Sequence, residues 1–329
     1  SDDWQSVTGD CQFEPVKKKS PRLITKTDTI CTACGEKYQE LLDIPFYKRY
    51  LPLAIVGTCD QHGLFLRSPS ASDIARIHRA DHIRATLDFG PIDDFAVHNG
   101  PKSGDLIRHA VVNYLDAFSS RQLLYIHRAI HSLDQLERPI RLNLALLVST
   151  SLEFNSMLCG YKGSAKNRPG AIRHVFALHA YSFPYTAAEN NPVNPRKSSG
   201  NLQPLIQDRI VRGRRWSTKP VERRIDQVGA VSMVDVPGEW DGGVEASSQA
   251  DLAKDSHRFW LIHGDSSQLP VDNDTVDFVV TDPPYYDNVQ YSDLAAFFRV
   301  WLAHLLPDEI DWHYDIQLSA VATKAEDGD

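Results

Sequence analysis

Val279-Val280-Thr281-Asp282-Pro283-Pro284-Tyr285 is the stretch on which the reading of this chain turns. It is the end of an apolar run, Val276-Asp277-Phe278-Val279-Val280, that leads into an acid, two prolines and an aromatic ring. A nearly continuous apolar run of this length predicts a strand of a parallel sheet covered on both faces. Proline cannot donate to a ladder and holds φ at about −65°, and it pushes the residue before it out of the helical region. The chain therefore leaves the strand in a rigid extended turn, which sets Asp282 and Tyr285 at a strand's carboxyl end, where open α/β sheets bind ligands.

Working outward, Phe259-Trp260-Leu261-Ile262-His263 predicts a second short strand upstream. Downstream, a helix is expected from near Ser292, carrying Leu294, Phe297, Phe298, Trp301, Leu302 and Leu305.

The residue types at the turn suit one chemistry. An exocyclic amine on a nucleobase is a poor nucleophile because its lone pair is delocalised into the ring. A carboxylate and a backbone carbonyl that accept its two N–H bonds draw that lone pair back onto nitrogen. Proline suits the position between acceptors, since it offers a carbonyl and no competing N–H. A base reached in this way must leave the duplex stack, and an aromatic face such as Tyr285 can hold it. Read alone, Asp282, Pro283, Pro284 and Tyr285 are equally compatible with a Pro-Pro turn after a buried strand, with Asp282 capping the turn.

The 329 residues suffice for two or more compact units, and 42% hydrophobic and 24% charged residues describe an ordinary globular composition. No apolar run approaches the ~20 residues of a membrane span, and Ser1-Asp2-Asp3-Trp4 has no signal-peptide character. A cytoplasmic, non-membrane protein is the expectation. The net charge of −8 argues against polyanion binding by the whole surface but leaves room for a local basic patch.

Residues 1–24 read as a polar tail or linker, residues 25–70 as a cysteine-bearing module, and residues 71–189 as a mainly helical insertion with one strand. Within the insertion, a helix over 70–86 is capped by Ser70 or Ser72, and another is opened by Ser119 or Ser120. A further helix runs from near Ile140 towards Met157, after Pro139 interrupts its predecessor, and a strand spans Val175–Tyr181. Residues 190–255 read as a basic, Gly/Pro-rich loop region, and residues 256–329 as the catalytic α/β segment.

Cys31-x-x-Cys34-Gly35 and Cys59-x-x-His62-Gly63 are matched half-sites. Two such knuckles make a closed tetrahedral set of three thiolates and one imidazole, the donor set of structural zinc; the alternative is unrelated reduced thiols beside a surface histidine. The spaced pairs His78/His82 and His127/His131 read as solvated or packed side chains. Arg209, Arg212, Arg214, Arg215, Lys219, Arg223 and Arg224 surround Trp216 in what reads as a flexible basic loop suited to phosphate contact, with Trp216 free to stack on a base. A solvated charge run is the equal alternative for that loop.

Gly264-Asp265-Ser266-Ser267-Gln268-Leu269-Pro270, Asp274–Asp277 and the Asp-Pro-Pro-Tyr turn together resemble amino-methylating DNA methyltransferases. The extension Tyr285-Tyr286-Asp287-Asn288-Val289-Gln290-Tyr291-Ser292-Asp293-Leu294, with Phe297-Phe298 and Val300-Trp301-Leu302, resembles more narrowly the adenine-specific DNA methylases that contain a zinc ribbon. Phe118–Leu123, Asn155–Cys159 and Glu189-Asn190-Asn191-Pro192 are similar to that family too. The resemblance implies a partial Rossmann-like methyltransferase sheet interrupted by a zinc-ribbon and helical insertion. It implies that Asp265 and Ser266 lie beside the adenosine of S-adenosylmethionine, and that Asp282 and Pro283 bind both the methyl donor and the target amine. It also implies methylation of adenine N6 in DNA, in the service of restriction-modification or phage defence.

The family's glycine-rich first motif is not in this chain, and Gly242-Gly243 follows no expected strand. The expectation is therefore a middle portion, with a second polypeptide or an upstream domain supplying the cofactor loop. The rival expectation is a non-catalytic zinc-ribbon subunit for DNA binding or assembly.

Overall fold

The computed structural model describes residues 40–59, 63–162, 171–177, 179–184, 186–193, 199–262, 264–282 and 290–313. These residues form a mixture of helices and small two-stranded sheets. They belong to two compact units, Ser1–Leu202 with Gln290–Asp329, and Gln203–Val289.

In the first unit, β1 (Ile55–Cys59) and β2 (Gly63–Arg67) form an antiparallel hairpin that pairs Cys59 with Gly63. Helix α1 (Ala71–Arg84) follows at once. Its N-cap is Ser70, whose hydroxyl accepts the Asp73 N–H while the Asp73 carboxylate accepts the Ser70 N–H, a reciprocal cap. The Arg67 guanidinium, 2.6 Å from that carboxylate, and the Ser70 donors hold Asp73 well below the usual carboxylate range. The end of β2 and the start of α1 are thereby fastened together.

After a short α2 (Gly104–Arg108), helix α3 (Ser120–Leu133) repeats the same device with Ser119 and Gln122. Helix α4 (Arg138–Leu152) begins slightly ahead of the expected Ile140 and stops short of Met157. Pro139 falls in its first turn, where a missing N–H is one of the unpaired donors in any case, so it starts this helix.

Strands β3 (Tyr161–Lys162) and β4 (Ala171–Ile172) pair antiparallel, as do β5 (Phe176–Ala177) and β6 (Ala180–Tyr181). The single strand expected over Val175–Tyr181 is thus a reversal. His179 sits at φ 58°, a left-handed conformation that its residue type does not announce.

The second unit corrects two further expectations. The segment read as a flexible basic loop is largely helical: α5 (Leu202–Leu205), a π-helical stretch Ile206–Val211 and α6 (Arg212–Thr218) run on without a break. Pro204 lies in the first turn, where it is tolerated, and the arginines around Gly213 are good helix formers. A hairpin of β7 (Val221–Ile225) and β8 (Val231–Asp235) follows. Then β9 (Val244–Glu245), α7 (Gln249–Leu252) and β10 (Arg258–Phe259) form a small crossover, with β9 and β10 parallel.

The second correction concerns the run Val276–Val280, which is not a strand. Phe278, Val279 and Val280 are 87%, 81% and 94% exposed, and Leu261 and Ile262 beyond β10 are exposed as well. A strand exists only where a neighbour takes up its N–H and C=O groups. Among the described residues, no strand lies beside this run, and β9–β10 is the only parallel pair.

Helix α8 (Tyr291–Leu305) belongs to the first unit and fills its core. It packs against α3 and α4, and α1 packs against α3. Trp301, wholly buried, meets Phe95 at 5.4 Å and Phe118 at 5.0 Å between ring centroids. Phe297 stacks on Phe118 at 5.9 Å and meets Tyr114 edge-on.

Candidate functional site

Asp282 is exposed and ends the described part of the second unit; Pro283, Pro284 and Tyr285 lie outside the described residues. Upstream, Gly264–Pro270 makes an exposed turn in which the Asp265 carboxylate accepts the Ser267 N–H at 2.8 Å. The Ser267 amide, and then its hydroxyl, hold Asp265 below the ordinary carboxylate range. Ser266, next to it, is also exposed. Asp265, Ser266 and Asp282 thus all present polar groups to solvent, each on non-repetitive backbone of the second unit.

Downstream of the turn the chain is held firmly. Gln290 is buried and Asp293, in the first turn of α8, is buried too. The Asp293 carboxylate accepts the Lys102 N–H at 2.6 Å, the Ser103 N–H at 3.1 Å and the Ser103 hydroxyl at 3.1 Å. The Tyr181 hydroxyl donates to its carbonyl. A side chain on Gly100 would put its Cβ 2.1 Å from Asp293 Oδ1, so the backbone approaches the carboxylate as closely as glycine alone permits. Sequence reasoning gave Asp293 no role. Its only local signal is an acid in the first turn of a helix, which ordinarily reads as a dipole partner.

The segments that carry the resemblance upstream come together in the first unit. Glu189 accepts the Ser119 hydroxyl at 2.7 Å and is gripped by Arg121 through Nε at 2.8 Å and Nη2 at 2.6 Å. That forked contact matches guanidinium to carboxylate geometry. The Ala188 N–H donates to the Cys159 carbonyl, and the Met157 N–H donates to the Ala117 carbonyl. Asn155, wholly buried, donates to the Ser151 and Gly200 carbonyls. Phe118, at the head of the Phe-Ser-Ser-Arg-Gln stretch, stacks on Phe297 of α8. Three stretches far apart in sequence therefore share one framework with the helix that follows the Asp-Pro-Pro-Tyr turn. Cys159 is buried, and burial pushes its thiol up to about 11, so it is a packed thiol with no nucleophilic character.

Of the expected zinc ligands, Cys59 ends β1 opposite Gly63, whereas Cys31, Cys34 and His62 lie outside the described residues. Among the described residues no cluster of three or more potential ligands forms. His127 and His131 do approach, with 3.1 Å between their Nε2 atoms, on an exposed face of α3.

Arg212, Arg214, Arg215 and Trp216 stand on α6, and Lys219 caps its end, where its ammonium meets Asp235 at 2.7 Å. The Trp216 indole N–H donates to the Val221 carbonyl at 3.2 Å. Trp216 is therefore a brace between α6 and β7. It is 43% exposed.

No protein-family model, curated protein or solved structure matches this chain. Among the described residues, no helix is long and apolar enough to cross a membrane.

Proposed function

We propose that this chain carries the catalytic segment of an S-adenosylmethionine-dependent DNA methyltransferase that acts on adenine N6. The carrying observation is the stretch Thr281-Asp282-Pro283-Pro284-Tyr285 with its extension through Asp293 and Trp301. An exposed carboxylate at Asp282 and the carbonyl of Pro283 are the two acceptors that the chemistry asks of the protein. Asp282 accepts one amine N–H and Pro283 the other, which orients the nitrogen lone pair and removes its ring conjugation. Tyr285 offers the aromatic face for the extruded base.

For the methyl donor, Asp265 and Ser266 are suitable in kind: an ionised carboxylate and a hydroxyl on an exposed turn can accept from the hydroxyls and amine of an adenosine. S-adenosylmethionine, when bound, supplies an electrophilic methyl group on a sulfonium. The finer fold reading, a partial Rossmann-like sheet, rests on the sequence of the apolar runs Phe259–His263 and Val276–Val280, and it requires neighbouring strands that are not among the described residues. The zinc-ribbon reading rests on the Cys31/Cys34 and Cys59/His62 pairs. The β1–β2 hairpin supports it, since its register sets Cys59 across from Gly63, the two ends of the second knuckle.

Incubation with unmethylated duplex DNA and S-adenosylmethionine, followed by nucleoside mass spectrometry, tests the reading. N6-methyladenine is the expected product, and Asp282→Ala is expected to abolish it while leaving the helical unit folded. Undiminished product from that variant would remove the turn from the mechanism.

A second reading is favoured by one observation, the exposure of Phe278, Val279 and Val280. On that reading the chain is a zinc-ribbon subunit for DNA binding or assembly, and a partner polypeptide supplies the cofactor loop and the neighbouring strands. Calorimetric titration with S-adenosylmethionine, with and without flanking polypeptide, separates the two. Binding by this chain alone supports the first.

A further inference from the structure

Helix α3 carries two histidines one turn apart on its exposed face. His127 and His131 are spaced i, i+4, so they are neighbours on one side of the helix. Their Nε2 atoms stand 3.1 Å apart, and the rings lie 4.3 Å apart between centroids at 67°. The helix itself is anchored in the core through Leu123, Ile126 and Leu133, so the turn that bears the pair is rigid backbone.

The His127 ring is set from outside the helix as well. Phe89 meets it edge-on at 5.3 Å, and Phe89 in turn packs on Phe95 and Trp301 of the core. Asp88, next to Phe89, lies beside the ring, and its carboxylate accepts the Gly90 N–H at 2.9 Å. Loss of solvent, and then the neighbouring His131, hold His127 below the ordinary imidazole value against the opposing pull of Asp88. His127 is therefore a neutral imidazole at pH 7. Such a ring carries one N–H and can place it on either nitrogen. With the proton on Nδ1, the Nε2 lone pair is free to bind a cation.

The spacing of the two nitrogens fits a metal. Late first-row cations bind imidazole nitrogen at about 2.0–2.1 Å. At that length, nitrogens 3.1 Å apart subtend about 100° at the metal, between the right angle of square-planar or octahedral sites and the ~109° of a tetrahedron.

We infer that His127 and His131 form a two-histidine chelate for a divalent late first-row cation such as nickel, copper or zinc, with water in its remaining positions. Among the described residues no third potential ligand joins them, so the site is open and exchangeable. It is separate from the cysteine pairs and independent of methyl transfer. His78 and His82 on α1 share the same spacing and are exposed, yet among the described residues their rings make no contact. Spacing alone does not build the site; the approach of the two rings does. A cation held across one turn binds the folded helix and not the open chain, so it stabilises the helical unit by linkage.

The test is equilibrium dialysis of the full chain against Ni²⁺, with bound nickel counted by mass spectrometry and the melting temperature followed in parallel. Nickel taken up by the cysteine pairs or by other histidines is common to parent and variants, so differences report this pair. His131→Gln, at an exposed position whose replacement leaves no cavity, is expected to lower bound nickel by about one per chain and to remove most of the nickel-dependent rise in melting temperature. His82→Gln is expected to change neither. In the parent, paramagnetic Ni²⁺ should broaden the ring-proton resonances of His127 and His131 at the lowest concentrations. Equal nickel uptake by parent and His131→Gln overturns the inference and leaves the pair as an N–H···N hydrogen bond. An equal loss from His82→Gln, or earlier broadening of other histidines, overturns it too.

Discussion

Two clusters of large apolar side chains lie a short distance apart in the sequence and meet opposite fates. Phe297, Trp301 and Leu305 on α8 are wholly buried, whereas Phe278, Val279 and Val280 stand 81–94% exposed. The residue types do not explain the difference, because both runs are equally apolar. What differs is company. Helix α8 satisfies its own backbone and needs only an apolar surface, which α3, α4 and the aromatic segment 114–118 supply. An extended run must also hand its N–H and C=O groups to neighbours, and none is present among the described residues. A helix can be folded by one partner face. A strand of a parallel sheet needs a neighbouring strand beside it and cover on both faces.

The contrast is sharpest at Trp301. Replacing it by alanine empties the centre of the cluster formed by Phe95, Phe118 and Phe89, and about 3–5 kcal/mol of stability should be lost. Denaturant unfolding followed by circular dichroism measures it. Trp301→Phe should cost much less. The indole N–H has no acceptor among the described residues, so phenylalanine removes no hydrogen bond. A loss below 1 kcal/mol for Trp301→Ala would mean that α8 is as poorly covered as the run Val276–Val280, and the comparison would collapse.

Cys159 gives a second probe of the helical unit. With its thiol pushed up to about 11 by burial, it is almost wholly protonated at pH 8 and shielded from reagents. Its folded pKa is raised, so the neutral thiol is the form the fold favours. Stability from this site is complete below the unfolded thiol value and declines as pH rises towards 11. Alkylation mapped by peptide mass spectrometry should leave Cys159 unmodified under conditions that label an unfolded control within minutes. Rapid labelling in native buffer would place this core among the mobile parts of the chain.

Next in size is the junction of Ser119, Arg121 and Glu189. Ser119→Ala removes the N-cap of α3 and one hydrogen bond to Glu189 together, so about 1–2 kcal/mol is expected. Glu189→Gln keeps the cap and breaks only the forked ion pair, and it should cost less than Ser119→Ala. The opposite order would make the acid, rather than the cap, the organising group.

These cases also mark what could be read from the sequence. The helix starts were legible from their capping serines, though only as a choice between Ser70 and Ser72 and between Ser119 and Ser120; the reciprocal partners Asp73 and Gln122 came from the structure. The core face of α8 was legible from its helical period. The reversal at His179 was not, since a left-handed histidine leaves no compositional mark. The helix through Arg212–Thr218 was hidden by Pro204 and Gly213, which usually punctuate loops and here sit in a first turn and an arginine-rich stretch. The role of Trp216 as a brace, and the clasp of Asp293 on Lys102 and Ser103, depend on contacts between segments that no local pattern records. The apolar run before Asp282 was read as a strand on a condition the sequence cannot check, namely the presence of neighbours.

That condition yields the smallest expected effect. If Val280 is as solvated in solution as it is here, Val280→Ser removes no packing and leaves no cavity, so unfolding of the chain should shift by less than about 0.5 kcal/mol, the usual range for exposed positions. The same substitution made with flanking polypeptide present is the informative arm. Should added strands then enclose residues 276–280, Val280 becomes a core side chain of a parallel sheet, and its replacement by serine should cost several times more, through lost burial and an unpaired hydroxyl. A large loss in the chain alone would instead mean that this run already has neighbours in solution, and that the difference between it and α8 is one of degree.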